Sequence, residues 1–195
     1  VQHRHFTWDY PDGRPGNAQE FLDRGYTLGR DAFLFSDSIT RPSRFNHDLT
    51  VRRLRTDRDW EDSLAAQEFV LSSDGDIESA EEFNRTQSRR ARRLADSGRA
   101  RWFGGFLGEH LVATMGIVVL DGLGRCQAVA TAPGHRRRGF ASSLIYEVCS
   151  QAFREMGAEE IAIMANIDNP SLLLYESLGF EVRERILSLS ISMEG

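Results

Sequence analysis

The stretch Val129-Ala130-Thr131-Ala132-Pro133-Gly134-His135-Arg136-Arg137-Arg138-Gly139-Phe140-Ala141 holds the residue types and spacing best suited to chemistry. A run of strand-forming residues meets Pro133-Gly134, and three arginines then lead into a segment with helical periodicity. The small residues Gly139 and Ala141 fall at the first helical turn, where backbone N–H groups have no intrahelical acceptor. Such a helix start suits a diphosphate, because the N–H groups donate and the helix dipole favours an anion. Arginines just before it add charge and forked donors. Taken alone, the spacing R-x-x-G-x-A fits equally a basic turn that merely caps a core helix.

Two other phosphate-binding patterns are absent. There is no G-x-x-x-x-G-K-[ST], and of G-x-G-x-x-G only one glycine, Gly139, is present. A mostly antiparallel strand order also disfavours a doubly wound nucleotide-binding domain.

The elements that must position this segment follow from local patterns. Thr50 to Leu54 alternates as a short strand. Thr56-Asp57-Arg58-Asp59 has the hydroxyl and the acid of a capping box, opening a helix with Trp60, Leu64 and Leu71 on its inner side. A second helix is predicted from Ser79 to about Asp96. Strands follow at Arg101 to Leu107, His110 to Leu120 and Arg125 to Ala132, with Gly108-Glu109 and Asp121-Gly122 as turns. From Gly139 to Met156 apolar residues recur every three or four positions, and Gly157 is placed as a left-handed cap. Glu160 to Ala165 reads as a strand, Pro170 to Leu178 as a helix, and Phe180 to Glu184 and Ile186 to Met193 as two strands. The fold class is mixed α/β (α+β), with a largely antiparallel sheet flanked by helices and one helical crossover.

Within that order, Arg136, Gly139 and Ala141 fill [QR]-x-x-G-x-[GA] after Thr131-Ala132-Pro133. About thirty residues on, Asp168-Asn169-Pro170-Ser171-Leu172-Leu173-Leu174-Tyr175-Glu176-Ser177-Leu178-Gly179-Phe180 parallels N-x-x-A-x-x-L-Y-x-x-x-G-F. With both blocks and the element order, residues 49–195 resemble a complete domain of the GNAT superfamily of acetyl-CoA-dependent N-acetyltransferases. The sequence departs from the pattern at Asp168, where the family has Asn, and at Ser171, where it has Ala. Either Asp168 or Asn169 is the cofactor contact at that point.

The resemblance implies an acyl-CoA N-acyltransferase fold with acetyl-CoA as co-substrate and no metal. It assigns the backbone of Val129, Ala130 and Thr131 to pantetheine, held where the strand splays from its neighbour. Arg136, Arg137, Arg138, Gly139, Phe140, Ala141 and Ser142 go to the diphosphate. A deprotonated amine would attack the thioester directly in a ternary complex, and Tyr175 matches the family's acid for the departing thiolate. A phenol is a competent donor to a thiolate of lower basicity. No general base stands out. Glu109, His110, Asp121 and His135 qualify by type, yet each lies in or beside a turn and reads as solvated surface. The alternative function is a non-catalytic acetyl-CoA sensor or scaffold.

Composition bounds the partners. The 195 residues are 41% hydrophobic and 27% charged, as in an ordinary globular domain. A net charge of −5 argues against nucleic acid, and no apolar run approaches membrane-spanning length. Cys126 and Cys149 are too few for a disulfide framework and are expected reduced in a core, which suits a cytoplasmic protein. The acceptor is then a small-molecule or peptide amine, and pairing as a homodimer stays open. The stretch Ser72 to Arg93, acidic in its first part, is expected to line the acceptor side.

Residues 1–48 precede the complete domain. Aligning Phe21 with Tyr175 places Gly25 on Gly179, Tyr26 on Phe180, Leu28 on Val182, Phe33 on Leu187 and Phe35 on Leu189. Ala18 to Ser36 therefore resembles a closing helix and strands, with Phe6-Thr7-Trp8 as a strand before them. These residues read as an N-terminal extension that is the tail of a degenerate first unit. Val1 in place of Met fits a unit continuing upstream.

Overall fold

The computed structural model describes residues 2–8, 17–71 and 77–193. Its elements, in order, are β1 (Gln2–Trp8), α1 (Gln19–Leu22), β2 (Thr27–Ser36), β3 (Thr50–Arg53), α2 (Asp57–Leu71), α3 (Ile77–Asp96) and β4 (Ala100–Leu107). There follow β5 (His110–Leu120), β6 (Leu123–Thr131), a 3-10 turn (Pro133–His135), α4 (Phe140–Glu155), β7 (Glu160–Asn166), α5 (Ser171–Ser177) and β8 (Glu181–Met193). The fold is mixed α/β with mostly antiparallel strands and flanking helices, as expected. The chain forms two compact units, Asp37–Ile161 and Val1–Ser36 with Ala162–Gly195.

In the first unit, strands β6, β5, β4 and β3 lie side by side, all antiparallel. The Asp121-Gly122 turn has φ of 48° and 80°, so both central residues are left-handed, which matches the twist of the hairpin joining β5 and β6. Strand alternation sends neighbouring side chains to opposite faces. On one face Trp60 of α2 packs on Trp102, with ring centroids 6.1 Å apart, and the Ser63 hydroxyl lies 2.8 Å from that of Thr114. Leu54, Ala100 and Phe106 complete that cluster, against Ala91, Leu94 and Ala95 of α3. On the other face Cys126 of β6 meets Cys149 of α4, Sγ to Sγ 4.0 Å, both buried and free. The Cys126 contact and burial push the Cys149 thiol well up, so it stays protonated and acts as a small apolar group.

The start of α2 bears out the capping box. Asp59 N–H donates to Thr56 Oγ1 at 3.1 Å, and Thr56 N–H donates back to Asp59 Oδ2 at 3.1 Å. The same buried carboxylate accepts both Arg52 guanidinium nitrogens, at 2.8 and 2.9 Å, and the Arg55 N–H at 2.7 Å. Arg52 in turn lies 3.7 Å over the Phe106 ring. The Arg52 bonds hold the Asp59 carboxyl well below the usual carboxylate range, against the opposing effect of burial and with help from the Arg55 and Thr56 amides. A depressed carboxyl contributes stability above its unfolded pKa of about 3.9, and loses it as pH falls. Asp59→Asn is therefore expected to destabilise the fold by about 2 kcal/mol at pH 7, with the gap to the parent closing below roughly pH 4. The gap narrows progressively as pH falls from about 4 towards the depressed folded value, so urea unfolding of the two proteins at pH 7 and about pH 2 checks this; a gap independent of pH would contradict it.

In the second unit β8 runs between β1 and β2, antiparallel to both. The sequence reading of two closing strands, broken at Arg185, is corrected here, because β8 is one strand of 13 residues. Arg185 pairs with Ala32 and Ile186 with Asp31, so the ladder to β2 carries the strand straight through the polar interruption. The mismatch is absorbed instead by a bulge between Phe33 and Leu34.

Candidate active site

Strand β6 delivers the chain to the motif through a bulge. Thr114 pairs with Ala130 and Gly116 with Gln127, so Met115 alone opposes Ala128 and Val129. Ala128 sits at φ 48°, a left-handed conformation that an alanine adopts only under constraint. The bulge re-aims the backbone of Val129, Ala130 and Thr131, the three residues expected to meet pantetheine. No sequence signal marked Ala128, since nothing about an alanine announces a positive φ.

Beyond Thr131 the chain turns tightly. Ala132 N–H donates to Val112 O at 3.0 Å, ending the pairing with β5, and His135 N–H donates to Ala132 O at 2.9 Å. Arg136 Nε donates to Thr131 O at 3.3 Å. Arg137 (φ 59°) and Gly139 (φ 79°) are both left-handed, a reversal that brings the helix start round abruptly. Gly139 is thus the residue before α4 rather than part of its first turn. The first bond of α4 runs from Ser143 N–H to Gly139 O at 3.1 Å. The N–H groups of Phe140, Ala141 and Ser142 precede it and have no partner among the described residues. Ser142 Oγ donates to Gly139 O at 3.0 Å, so this hydroxyl is turned back into the helix. Arg136, Arg137 and Arg138 are exposed, with the Arg138 guanidinium 5.1 Å from the Phe140 ring. Unpaired amides beside exposed cations can hold a diphosphate.

The segment after β2, absent from the sequence reading of this site, packs on it. Asn46 N–H donates to Ser143 Oγ at 2.8 Å, and Asn46 Nδ2 donates to Arg138 O at 3.1 Å. Phe45 packs edge-on against Tyr146 of α4, with centroids 5.9 Å apart. A polar loop with no periodicity gives no sign in sequence that it docks there.

The remaining predicted residues belong to the other unit. Tyr175 lies on α5, buried, with its ring edge-on to Phe180 at 6.4 Å. Asn169 Oδ1 accepts the Ser171 N–H at 2.9 Å and so caps α5, whereas the Asp168 side chain is exposed. Asn166, which the motif did not single out, accepts the Asp168 N–H at 3.0 Å. Its side chain also bonds that of Asp31, whose carboxyl burial pushes up.

Of the four candidate bases, Glu109, His110 and Asp121 are exposed, as expected for turns. His135 differs. It is half-buried beside Phe140, with Nδ1 enclosed and no hydrogen-bond partner among the described residues. Of the stretch expected to line the acceptor side, residues 72–76 lie outside the described residues. Between α2 and α3 lies an open groove of about 600 Å³ lined by Trp60, Leu64, Glu61 and Arg85 among others. Its charges largely pair internally, Arg89 with Glu82 at 3.0 Å and Arg92 with Asp57 at 2.7 Å. Of the acidic residues of that stretch, only Glu82 has a described side chain, and it is paired.

A mixed, mostly antiparallel α/β fold whose bulged strand feeds a basic turn and an anion-ready helix start is the fold of acyl-CoA N-acyltransferases. The sequence model of the Acetyltransferase (GNAT) family matches residues 58–180, and the chain belongs to that family. Comparison with curated proteins gives no match. Among solved structures, a GCN5-related N-acetyltransferase from Kribbella flavida aligns with TM-score 0.64 and 18% identity, over 98% of this chain and 68% of that one. A tandem GNAT protein from the clavulanic acid biosynthesis pathway aligns with TM-score 0.59 and 15% identity, over 99% of this chain and 65% of that one. A PaiA N-acetyltransferase from Thermoplasma acidophilum, solved in complex with coenzyme A, aligns at 0.58 and 15%, over 72% of this chain and 97% of that one. At such identities the likeness concerns the fold.

Proposed function

We propose that the protein transfers the acetyl group of acetyl-CoA to a primary amine of a small molecule or peptide, by direct attack in a ternary complex. The observation that carries this reading is the start of α4, where three unpaired amides follow Arg136, Arg137 and Arg138. The diphosphate goes to that helix start and pantetheine to the backbone of Val129, Ala130 and Thr131. The neutral amine adds to the thioester carbonyl carbon, the C–S bond breaks, and the thiolate takes a proton from Tyr175 Oη. The proton lost from the amine leaves to water, and the Tyr175 phenolate takes a proton back from water to close the cycle. A panel of pooled amines incubated with acetyl-CoA tests this: a product 42 Da heavier, with free CoA thiol released in equal amount, is expected on simple mass balance. Binding of acetyl-CoA without release of free CoA in the presence of any amine would instead favour a sensor or scaffold.

Residues 1–48 are proposed as the tail of a degenerate first GNAT unit. The turns support this. Tyr26 N–H donates to Phe21 O at 3.1 Å and Phe180 N–H donates to Tyr175 O at 3.2 Å, the same bond at aligned positions. Gly25 and Gly179 are both left-handed, at φ 87° and 96°. Phe21 and Tyr26 meet edge-on, as Tyr175 and Phe180 do. Strands β2 and β8 follow those turns and pair with each other about a local dyad, Arg30 with Leu187 and Phe33 with Glu184. In this copy Phe21 stands at the position of Tyr175, so it lacks the acid.

A further inference from the structure

We infer that the segment Arg41–Asp48 is a built-in strap that aims the diphosphate-binding amides, with Asn46 as its positioning residue; this rests on the acetyl-CoA reading above. Asn46 uses all its polar groups locally. Its Oδ1 accepts the Asp48 N–H at 3.0 Å, which closes the strap's own turn. Its backbone N–H holds the buried Ser143 hydroxyl, and its Nδ2 holds the Arg138 carbonyl. One residue thus ties the strap to the peptide before Gly139 and to the second turn of α4.

The Arg138 bond has an electrostatic consequence. No peptide here is cis, and in a trans peptide the C=O and N–H point in opposite directions. Holding the Arg138 oxygen against the strap turns the Gly139 N–H the other way. The same bond keeps the negative end of that carbonyl dipole off an incoming phosphate. Released, the peptide between Arg138 and the left-handed Gly139 could flip and present oxygen instead of hydrogen to the anion. The strap also approaches from the side where Gly139 has no Cβ: a Cβ there would stand 2.6 Å from Arg44 O. The glycine of R-x-x-G-x-A therefore serves in this chain to admit the strap as well as to make the turn. Within the strap, Arg41 lies 4.6 Å over the Phe45 ring, and Phe45 packs on Tyr146, which anchors the segment to the flank of α4.

Two substitutions separate the strap's aim from its folding. Asn46→Ala removes both side-chain bonds. Asn46→Ser keeps a hydroxyl able to accept the Asp48 N–H, but is too short to reach Arg138 O. Calorimetric titration with CoA is expected to give roughly tenfold weaker binding for both, the scale of a charge-assisted hydrogen bond. In amide spectra of ¹⁵N-labelled protein, CoA should displace the Gly139 signal in the parent and not in either variant. The midpoints of thermal unfolding without ligand should stay within a few degrees of the parent. A CoA affinity of Asn46→Ser within twofold of the parent, with the Gly139 displacement retained, would overturn the strap's role. Absence of CoA binding by the parent is a different result, and removes the reading on which the strap rests.

Discussion

Gly139→Ala is expected to weaken CoA binding by more than tenfold and to lower stability by about 2–4 kcal/mol, some 5–15 °C in Tm for a chain of this size. Two strains add. At φ 79° the residue is in the left-handed region, which costs an L side chain about 1–2 kcal/mol. The new methyl would also lie 2.6 Å from Arg44 O, a backbone atom that cannot swing aside as a long side chain would. Either the strap lifts, loosening the Asn46 bonds, or the peptide before α4 rotates and its amides lose their aim. Both routes damage the helix start where the diphosphate is proposed to sit. Calorimetric CoA titration and thermal unfolding test this together, and a variant matching the parent in both would contradict the account. Ala141, by contrast, lies on the helix proper without such strain, so Ala141→Gly is expected to change stability by no more than about 1 kcal/mol.

Tyr175→Phe is expected to lower kcat by about 10²–10³ while CoA affinity stays within twofold of the parent. The ring is buried and packs edge-on to Phe180, so phenylalanine keeps the volume and the aromatic contact and removes only the hydroxyl. Were Tyr175 a packing residue alone, turnover would be unchanged. If it protonates the thiolate, the loss falls on C–S cleavage and leaves CoA recognition at the α4 start intact. The measurement is a steady-state rate across pH with the amine found in the acceptor screen, alongside CoA titration of the unreacted variant. Equal turnover of variant and parent at every pH would end the assignment.

The features that sequence conveyed are those fixed over a few residues. Asp121-Gly122 between apolar runs demands a turn with two left-handed residues, and Thr56 with Asp59 three positions on closes a capping box. The apolar repeat after Gly139 makes α4, and the arginines and small residues at its start mark the proposed diphosphate site. Each rests on contacts within one turn, so local order is enough to read them. The partner of the Asp59 carboxylate, Arg52, was not legible, because it comes from a strand and depends on how β3 meets α2.

The sequence alone therefore determined the element order, the acyl-CoA motif and the residue, Tyr175, at the family's acid position. Tertiary structure decided three other matters. It made β8 continuous through Arg185 by pairing it with β2, put a bulge with a left-handed Ala128 into β6, and laid Asn46 and Arg44 against the motif glycine. The bulge is opposed by Met115 of the neighbouring strand, whereas for β8 and the motif glycine the deciding partner is far along the chain, 92 residues in the bond from Asn46 to Arg138. Backbone conformation at such points is set by whichever distant strand or loop supplies the hydrogen bonds. Side-chain periodicity, which reports only which face of an element is apolar, carries no record of that choice.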